Sequence, residues 1–287
     1  MLSMLSMLSI GGNALDKGMR DIKNTLPAIK ILKGYGNVVI THGNGPQVGE
    51  LAEVEHLSLS ILTAQTEAEI GYAIKRELKN SLGLESDVFL TDILVSKKDH
   101  AFNNPTKPIG RYYNEKEIDA FLKKGLRFKR FEKGLRRVVP SPRPVKILNL
   151  DALKLLARNC IVIAGGGGGI PFARVNKKLE FVEAVIDKDY TTALIAKELG
   201  AREIFILTNV DGAYLNYEKE GEELIHRASI EEMEQYLKEG YFGEGSMKPK
   251  VEACIDFVRE TEGIAVIGNI NKALDVVKLK DCTVITR

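Results

Sequence analysis

The sequence predicts an α/β protein with a mostly parallel sheet covered by helices, and three observations carry that prediction. Short apolar runs alternate along the chain with segments of helical period, glycine-rich loops directly follow three of the runs, and several helical segments stop at a glycine. With 287 residues, 44% hydrophobic and 28% charged, the chain can bury the core of one large domain or of two packed lobes.

Taken in order, the first strand is expected at Leu8–Ile10. It ends the threefold repeat MLSMLSMLSI, of which only the part from Met7 onward is needed for a strand. The repeat has neither a basic start nor a small-residue cleavage pattern, so it does not read as a secretory leader. A helix over Met19–Lys33, closed by Gly34, precedes a strand at Asn37–Thr41. Pro46 suits the first position of the next helix, Pro46–Leu59, because no N–H is needed there. Helical spacing resumes over Glu67–Asn80, and a longer apolar run at Asp87–Val95 reads as a strand.

The stretch from Lys97 to Arg143 breaks the alternation. It holds Pro105, Pro108, Pro140 and Pro142, and 14 Lys/Arg against 5 Asp/Glu, a net +9, which leaves −7 for the rest of a chain whose total is +2. It is expected to stand off the sheet as a basic protruding subdomain. Beyond it come a strand at Cys160–Ala164 and a hairpin over Pro171–Val185 turning at Asn176-Lys177-Lys178. Then follow a helix at Tyr190–Leu199, a strand at Glu203–Thr208, helices at Ile230–Glu239 and Pro249–Glu260, and a strand at Ile264–Ile267. The organisation expected is an N-terminal lobe over 1–150, including the subdomain at about 97–143, and a C-terminal lobe over 151–287.

Composition excludes several functional classes. A near balance of 41 Lys/Arg and 39 Asp/Glu gives no general case for nucleic acid or a membrane surface. No apolar stretch reaches the roughly 18–20 residues of a membrane helix. Cys160, Cys254 and Cys282 are odd in number and scattered, which suggests reduced core residues and neither a disulfide framework nor a zinc site. A cytoplasmic location is the expectation.

The glycine loops carry the chemistry. Gly11-Gly12-Asn13, Gly43-Asn44-Gly45 and Gly165–Gly169 each follow a strand, where glycine lets backbone N–H groups approach an anion and the next helix offers its positive end. Each glycine alone suits a tight turn just as well, but three such loops together point to a crowded anionic site. There is no Gly-Lys dipeptide, so a Walker phosphate loop is absent, and the spacing Gly43, Gly45, Gly49 is one residue too long for a dinucleotide fingerprint. Lys107, Lys188 and Lys250 are the candidates for stabilising charge on a transferring phosphoryl group. Lys188 stands out because Asp187 and Asp189 flank it after an apolar run. Asp211, in a loop after a strand, suits orienting the lysines or binding Mg²⁺ through water, and equally suits an Asx turn. The histidines are dispersed and no general base is evident, which fits an acceptor that is already an anion, such as a carboxylate or carbamate.

Nine strings in order resemble one family closely: GGNAL at 11–15, THGNGPQVG at 41–49, IGYAI at 70–74, NPTKPIG at 104–110, RRVVPSPRP at 136–144, AGGGGGIP at 164–171, VEAVIDKD at 182–189, LTNVDGAY at 207–214 and GSMKPKV at 245–251. The chain is similar to carbamate kinases, within the amino-acid-kinase fold. That resemblance implies a three-layer α/β/α sandwich, a homodimer, and Mg²⁺-dependent reversible transfer of phosphate between ATP and carbamate, giving ADP and carbamoyl phosphate. It places the substrate side in the N-terminal lobe, with Gly11, Gly12, Asn13, Gly43, Asn44, Gly45, Gly166 and Gly167 around carbamoyl phosphate. It implies Lys107 closing from the subdomain, Lys188 and Lys250 on the phosphates, and Asp187 or Asp211 fixing them. The nucleotide is then expected in the C-terminal lobe against Thr208, Asn209, Asp211, Ala213, Tyr214, Gly245, Met247 and Lys250. One departure is Thr66-Glu67-Ala68, where the family often has Ser-Gln-Gly before IGY. Two other readings stay open: a phosphotransferase of the same superfamily with another small-acid acceptor, and a catalytically idle nucleotide or metabolite sensor.

Overall fold

Strands buried on both faces dictate the architecture. A computed structural model gives the structure of residues 4–11, 20–243 and 245–287. At its centre is an eight-stranded sheet, in spatial order Arg227–Ser229, Cys282–Thr286, Ile264–Asn269, Glu203–Thr208, Met4–Ile10, Gly36–His42, Ile161–Ala164 and Ser86–Phe89. The last six run parallel, and the first two, parallel to each other, run against them.

Consecutive residues of the inner strands feed opposite cores. Met7, Val39 and Ile206 pack with Leu153, Ile195, Met233 and Val251 from the helices Leu150–Ala157, Lys188–Leu199, Ile230–Glu239 and Met247–Thr261. Leu8, Ile40 and Phe205 face the other way, against Ile29, Ile74 and Val276 from Arg20–Tyr35, Leu59–Leu82 and Ala273–Val276. The result is the three-layer α/β/α sandwich, as a parallel sheet with two apolar faces requires.

Two smaller sheets flank it. One has the strand order Lys178–Phe181, Ile170–Val175, Asp92–Val95, Pro144–Ile147. Its hairpin turns at Asn176 and Lys177, both at positive φ, where the sequence places the turn. The other, ordered Lys107–Tyr113, Gly134–Val139, Arg127–Phe131, is antiparallel and forms the basic subdomain. Tyr113, Phe121 and Phe128 give it a small core, with the Tyr113 ring centroid 5.6 Å and 5.3 Å from the other two.

Several sequence boundaries are corrected. The MLS repeat pairs from Met4, so the central strand is longer than Leu8–Ile10. The run Asp87–Val95 splits, with Ser86–Phe89 in the main sheet and Asp92–Val95 in the second. The helix expected at Glu67 begins at Leu59, capped by Ser58, whose Oγ accepts from the Ile61 N–H at 3.4 Å. The helix expected to end at Leu59 stops at Val54. Strands Arg227–Ser229 and Cys282–Thr286 and the helix Leu150–Ala157 are additions to the elements expected.

Candidate active site

The C-terminal ends of Met4–Ile10, Gly36–His42, Ile161–Ala164 and Glu203–Thr208 lie side by side, and the crevice outside such strand ends is where α/β sheets bind ligands. Gly11 follows the first; Gly12 and Asn13 lie outside the described residues. After the second, the Gly43 N–H donates to Ile10 O at 3.2 Å, so this amide belongs to the sheet and is not offered to a ligand. The helix Gly45–Val54 begins immediately afterwards, with Pro46 in its first turn. Its ladder starts with Val48 N–H to Asn44 O at 2.9 Å, which leaves the Gly45 and Gln47 amides at the helix's positive end.

The third loop is held from behind. Gly165 N–H donates to Thr91 Oγ1 at 2.8 Å, Gly166 N–H to Glu67 Oε1 at 2.9 Å, and Thr91 N–H to Glu67 Oε2 at 3.2 Å. Gly166 therefore turns its amide toward Glu67, which corrects its expected role as a ligand donor. Gly167, at φ 62°, lies where any Cβ would meet the Asn44 amide group at 2.1 Å, so only glycine lets the second and third loops touch. Burial pushes the Glu67 carboxyl up to about 8 against the pull of the two backbone donors. Burial also depresses His42, beside it, to about 4, and its Nε2 is buried without a hydrogen-bond partner.

The charged groups converge in front of these loops. Asp187 caps the helix Lys188–Leu199, accepting from the Asp189 N–H at 3.0 Å. Its other oxygen pairs with Lys107, reaching in from the subdomain. Lys188 donates to Ser9 Oγ at 2.6 Å and to Asp189 Oδ1 at 2.7 Å, while Lys250 donates to Asp189 Oδ2 at 2.8 Å. Asp189 is only 2% exposed, and two ammonium groups hold its carboxyl well below the usual range despite burial. Burial lowers the Lys188 pKa; for Lys250, burial is outweighed by Asp189 and Asp187, and its pKa rises.

Lys107, Asp187, Lys188, Asp189 and Lys250 line a cavity of about 220 Å³, together with Gly43, Asn44, Gly45, Pro46, Gly167 and Gly245. A second cavity, of about 390 Å³, is walled by Thr208, Gly212, Tyr214, Tyr217, Tyr241, Phe242 and Met247, and Lys250 is the residue the two share. One is cationic and polar, the other aromatic. The two cavities adjoin at the Lys250 ammonium group.

The structure thus unites Lys107, Lys188, Lys250 and Asp187 at the cationic cavity, and Thr208, Tyr214 and Met247 line the aromatic one. It moves others. Asp211 accepts from Asn269 at 2.8 Å and Lys272 at 2.8 Å, so it anchors the loop while Asp189 orients the lysines. Ala213 is buried, with its N–H on Thr283 Oγ1 at 2.8 Å; Asn209 is exposed; neither lines the aromatic cavity. Gly245 lines the cationic cavity instead of the aromatic one. Asp189, Ser9, Thr91 and Glu67 were absent from the expected set, although the Asp-Lys-Asp cluster and the departure at Glu67 were visible signals.

A family model described as the amino acid kinase family matches residues 4–269. The chain is 38% identical over 300 residues to a carbamate kinase of Thermoplasma acidophilum, covering 98% of each. It is 40% identical over 296 residues to carbamate kinase 2 of Staphylococcus epidermidis, covering 93% of this chain and 96% of that one. The chain belongs to the carbamate kinase branch of the amino acid kinase family. Among solved structures, a carbamate kinase from Giardia lamblia bound to AMP-PNP superposes on this kinase with a TM-score of 0.85 at 35% identity, over 99% of this chain and 98% of that one. A protein from Aeropyrum pernix gives 0.88 at 39% identity, over 98% and 99%.

The larger groove of this kinase, about 500 Å³, lies elsewhere, between Arg143, Tyr190, Lys197, Asp256 and Glu260. Its charges are already paired: Arg143 bonds Glu252 at 2.7 Å and Asp256 at 3.1 Å and stacks 3.5 Å over the Tyr190 ring.

Proposed function

We propose that the chain is a carbamate kinase, transferring phosphate reversibly between ATP and carbamate to give ADP and carbamoyl phosphate. The observation that carries this reading is the junction at Lys250, where a cationic cavity at a helix start meets an aromatic one. In the direction of carbamoyl phosphate synthesis, a carbamate oxygen forms the bond to the γ-phosphorus. The bond from that phosphorus to the β-bridging oxygen breaks, and ADP leaves with its electron pair. Carbamate is already an anion, so no side chain need take a proton. The one histidine nearby, His42, is buried behind Gly166 and depressed to about 4, which suits this.

Lys188 and Lys250 stabilise the charge that spreads over the transferring oxygens, each held in place by Asp189. Lys107 closes the cavity from the subdomain and is positioned by Asp187. The amides at the start of Gly45–Val54 receive the acceptor end. Mg²⁺ suits the reaction as part of the nucleotide substrate, since no cluster of three acidic, histidine or cysteine side chains able to hold a metal occurs among the described residues and the cavity's carboxylates are already paired with lysines. When bound, the cation neutralises developing phosphate charge.

We further propose a homodimer in which a second copy covers the open edge Ser86–Phe89 and its flanking helices, where Tyr72 and Leu155 are each 66% exposed. Sedimentation at micromolar concentration checks it, with a dimer expected and a monomer contradicting it. A cytoplasmic location fits three free cysteines, and no helix among the described residues is long and apolar enough to cross a membrane.

The experiment for the function is ATP formation from ADP and carbamoyl phosphate with Mg²⁺. Turnover is expected. A folded, ADP-binding protein without turnover would falsify the reading, and turnover only with another acyl phosphate would assign a different small-acid acceptor.

A further inference from the structure

The chain leaves the basic subdomain through Pro140-Ser141-Pro142-Arg143-Pro144, and the arginine among these prolines has no part in the chemistry above. Arg143 lies four residues beyond Val139, which stands opposite Lys107 where the strands Gly134–Val139 and Lys107–Tyr113 pair. Each proline fixes its own φ, so the link from Val139 to Arg143 is stiff.

This stalk is fastened along its length. Pro140 O accepts from the Val185 N–H at 3.0 Å, two residues before Asp187. The Arg143 guanidinium donates to Glu252 at 2.7 Å and to Asp256 at 3.1 Å. It lies 3.5 Å over the ring of Tyr190, whose hydroxyl donates to the same Glu252. The Arg143 backbone N–H donates to Asp99 Oδ2 at 3.0 Å, and the other oxygen of Asp99 accepts from the Ala101 N–H at 2.8 Å, in the turn that leads toward Lys107. Arg143 thus joins the exit from the subdomain to its entry, and joins both to two helices.

An exposed ion pair by itself adds little to stability, and the Arg143 side chain is 46% exposed. Its partners give it a different weight. Tyr190 lies on Lys188–Leu199, two residues after Lys188; Glu252 and Asp256, four residues apart on one side of Met247–Thr261, share that helix with Lys250. A planar fork can meet two carboxylates and stack on a ring at once, which a lysine ammonium cannot. The two helices already carry Lys188, Asp189 and Lys250, whereas Lys107 comes from the subdomain and must be brought into register with them.

We propose that Arg143 is a positioning residue for phosphoryl transfer: by clamping the exit strand of the subdomain to the helices Lys188–Leu199 and Met247–Thr261, it sets where Lys107 stands relative to Lys188 and Lys250. This deepens the carbamate kinase reading and rests on it. Arg143 touches no substrate and moves no proton; it acts through Lys107.

The test is a double-mutant cycle of Arg143→Met and Lys107→Ala, read by ATP formation from ADP and carbamoyl phosphate. Arg143→Met is expected to lower kcat about tenfold, since a small displacement of a charge-stabilising group is enough for that, with the KM for ADP within about twofold. In the Lys107→Ala background the same substitution should cost less than about twofold, because the group it positions is gone. Glu252→Gln combined with Asp256→Asn removes the clamp from the helix side and should reproduce the loss seen in Arg143→Met. Hydrogen exchange gives a reading independent of turnover: the strands Lys107–Tyr113 and Gly134–Val139 should exchange faster in Arg143→Met, and the central sheet as in wild type. A kcat close to wild type in either clamp variant, the full loss repeated in the Lys107→Ala background, a parallel rise in the KM for ADP, or unchanged exchange in the two strands would overturn the proposal. Failure of wild-type protein to make ATP would count against the carbamate kinase reading, and the exchange comparison would still decide whether Arg143 anchors the strand that carries Lys107.

Discussion

Asp189 is the smallest unit on which the site depends. A single carboxylate, nearly without exposure, receives one ammonium group on each oxygen and so sets the separation of Lys188 and Lys250. Lys107→Ala and Lys188→Ala are each expected to lower kcat by about 10²–10³, since losing one preorganised electrostatic donor costs about 3–4 kcal/mol; near-normal steady-state rates would remove the roles given to them. Glu67 makes a separate prediction, in pH. Its folded value of about 8 exceeds its ordinary 4.5, so between these the folded state holds a proton that the unfolded state has lost, and stability falls as pH rises. His42, at about 4 against 6.5, gives the opposite slope, confined to below pH 6.5. From about pH 6.5 to 8 the fall due to Glu67 stands alone between the two, amounting to about 2 kcal/mol. Urea unfolding of wild type and Glu67→Gln at these two pH values should show that loss in wild type alone. An identical slope in both would mean the Glu67 carboxyl titrates normally; Asp92 and Lys188 are the other charges facing this pair and are common to both proteins.

At the level of elements, the helix Gly45–Val54 and the strand Lys107–Tyr113 pack directly against each other. A Cβ on Gly49 would lie 1.9 Å from Gly110 N, backbone against backbone, so the two elements touch without side chains between them. Glu53, one turn further, accepts from Tyr113 Oη and lies 3.6 Å from Arg111 Nε. That contact ties Lys107 to the amides at the helix start. Gly49→Ala must force the pair apart: a loss of about 2–3 kcal/mol in stability and a higher KM for carbamoyl phosphate are expected, since overpacking at a site with no room to yield costs about this much. Unchanged thermal stability in a melting experiment would show that the subdomain floats free of the helix.

Much of this arrangement is legible in the sequence. The strand-then-glycine pattern located the strand ends that bound the crevice, and the broken alternation, the prolines and the charge located the subdomain, because parallel strands and anion loops leave local signatures. The elements that escaped did so for tertiary reasons. Ser60, Thr63 and Thr66 interrupt the apolar stripe of the long helix, yet Ser60 donates to Pro171 O at 2.8 Å and Val182 O at 2.9 Å and so is at home in the core. The run Asp87–Val95 looks continuous, but it changes sheets at Leu90-Thr91, which is what puts Thr91 behind Gly165. The inward turn of Gly166 and the anchoring of Asp211 by Lys272 are side-chain choices that no spacing encodes.

For the whole molecule, the account requires that nucleotide and acceptor enter from two sides and meet at Lys250. The most direct measurement is a crystal structure of the protein with Mg²⁺ and a non-hydrolysable ATP analogue. The base should lie against Tyr214, Tyr217 and Phe242, with the terminal phosphate within hydrogen-bonding distance of Lys188 and Lys250. A nucleotide seated in the groove between Arg143 and Tyr190, or one whose terminal phosphate points away from Lys250, would contradict it.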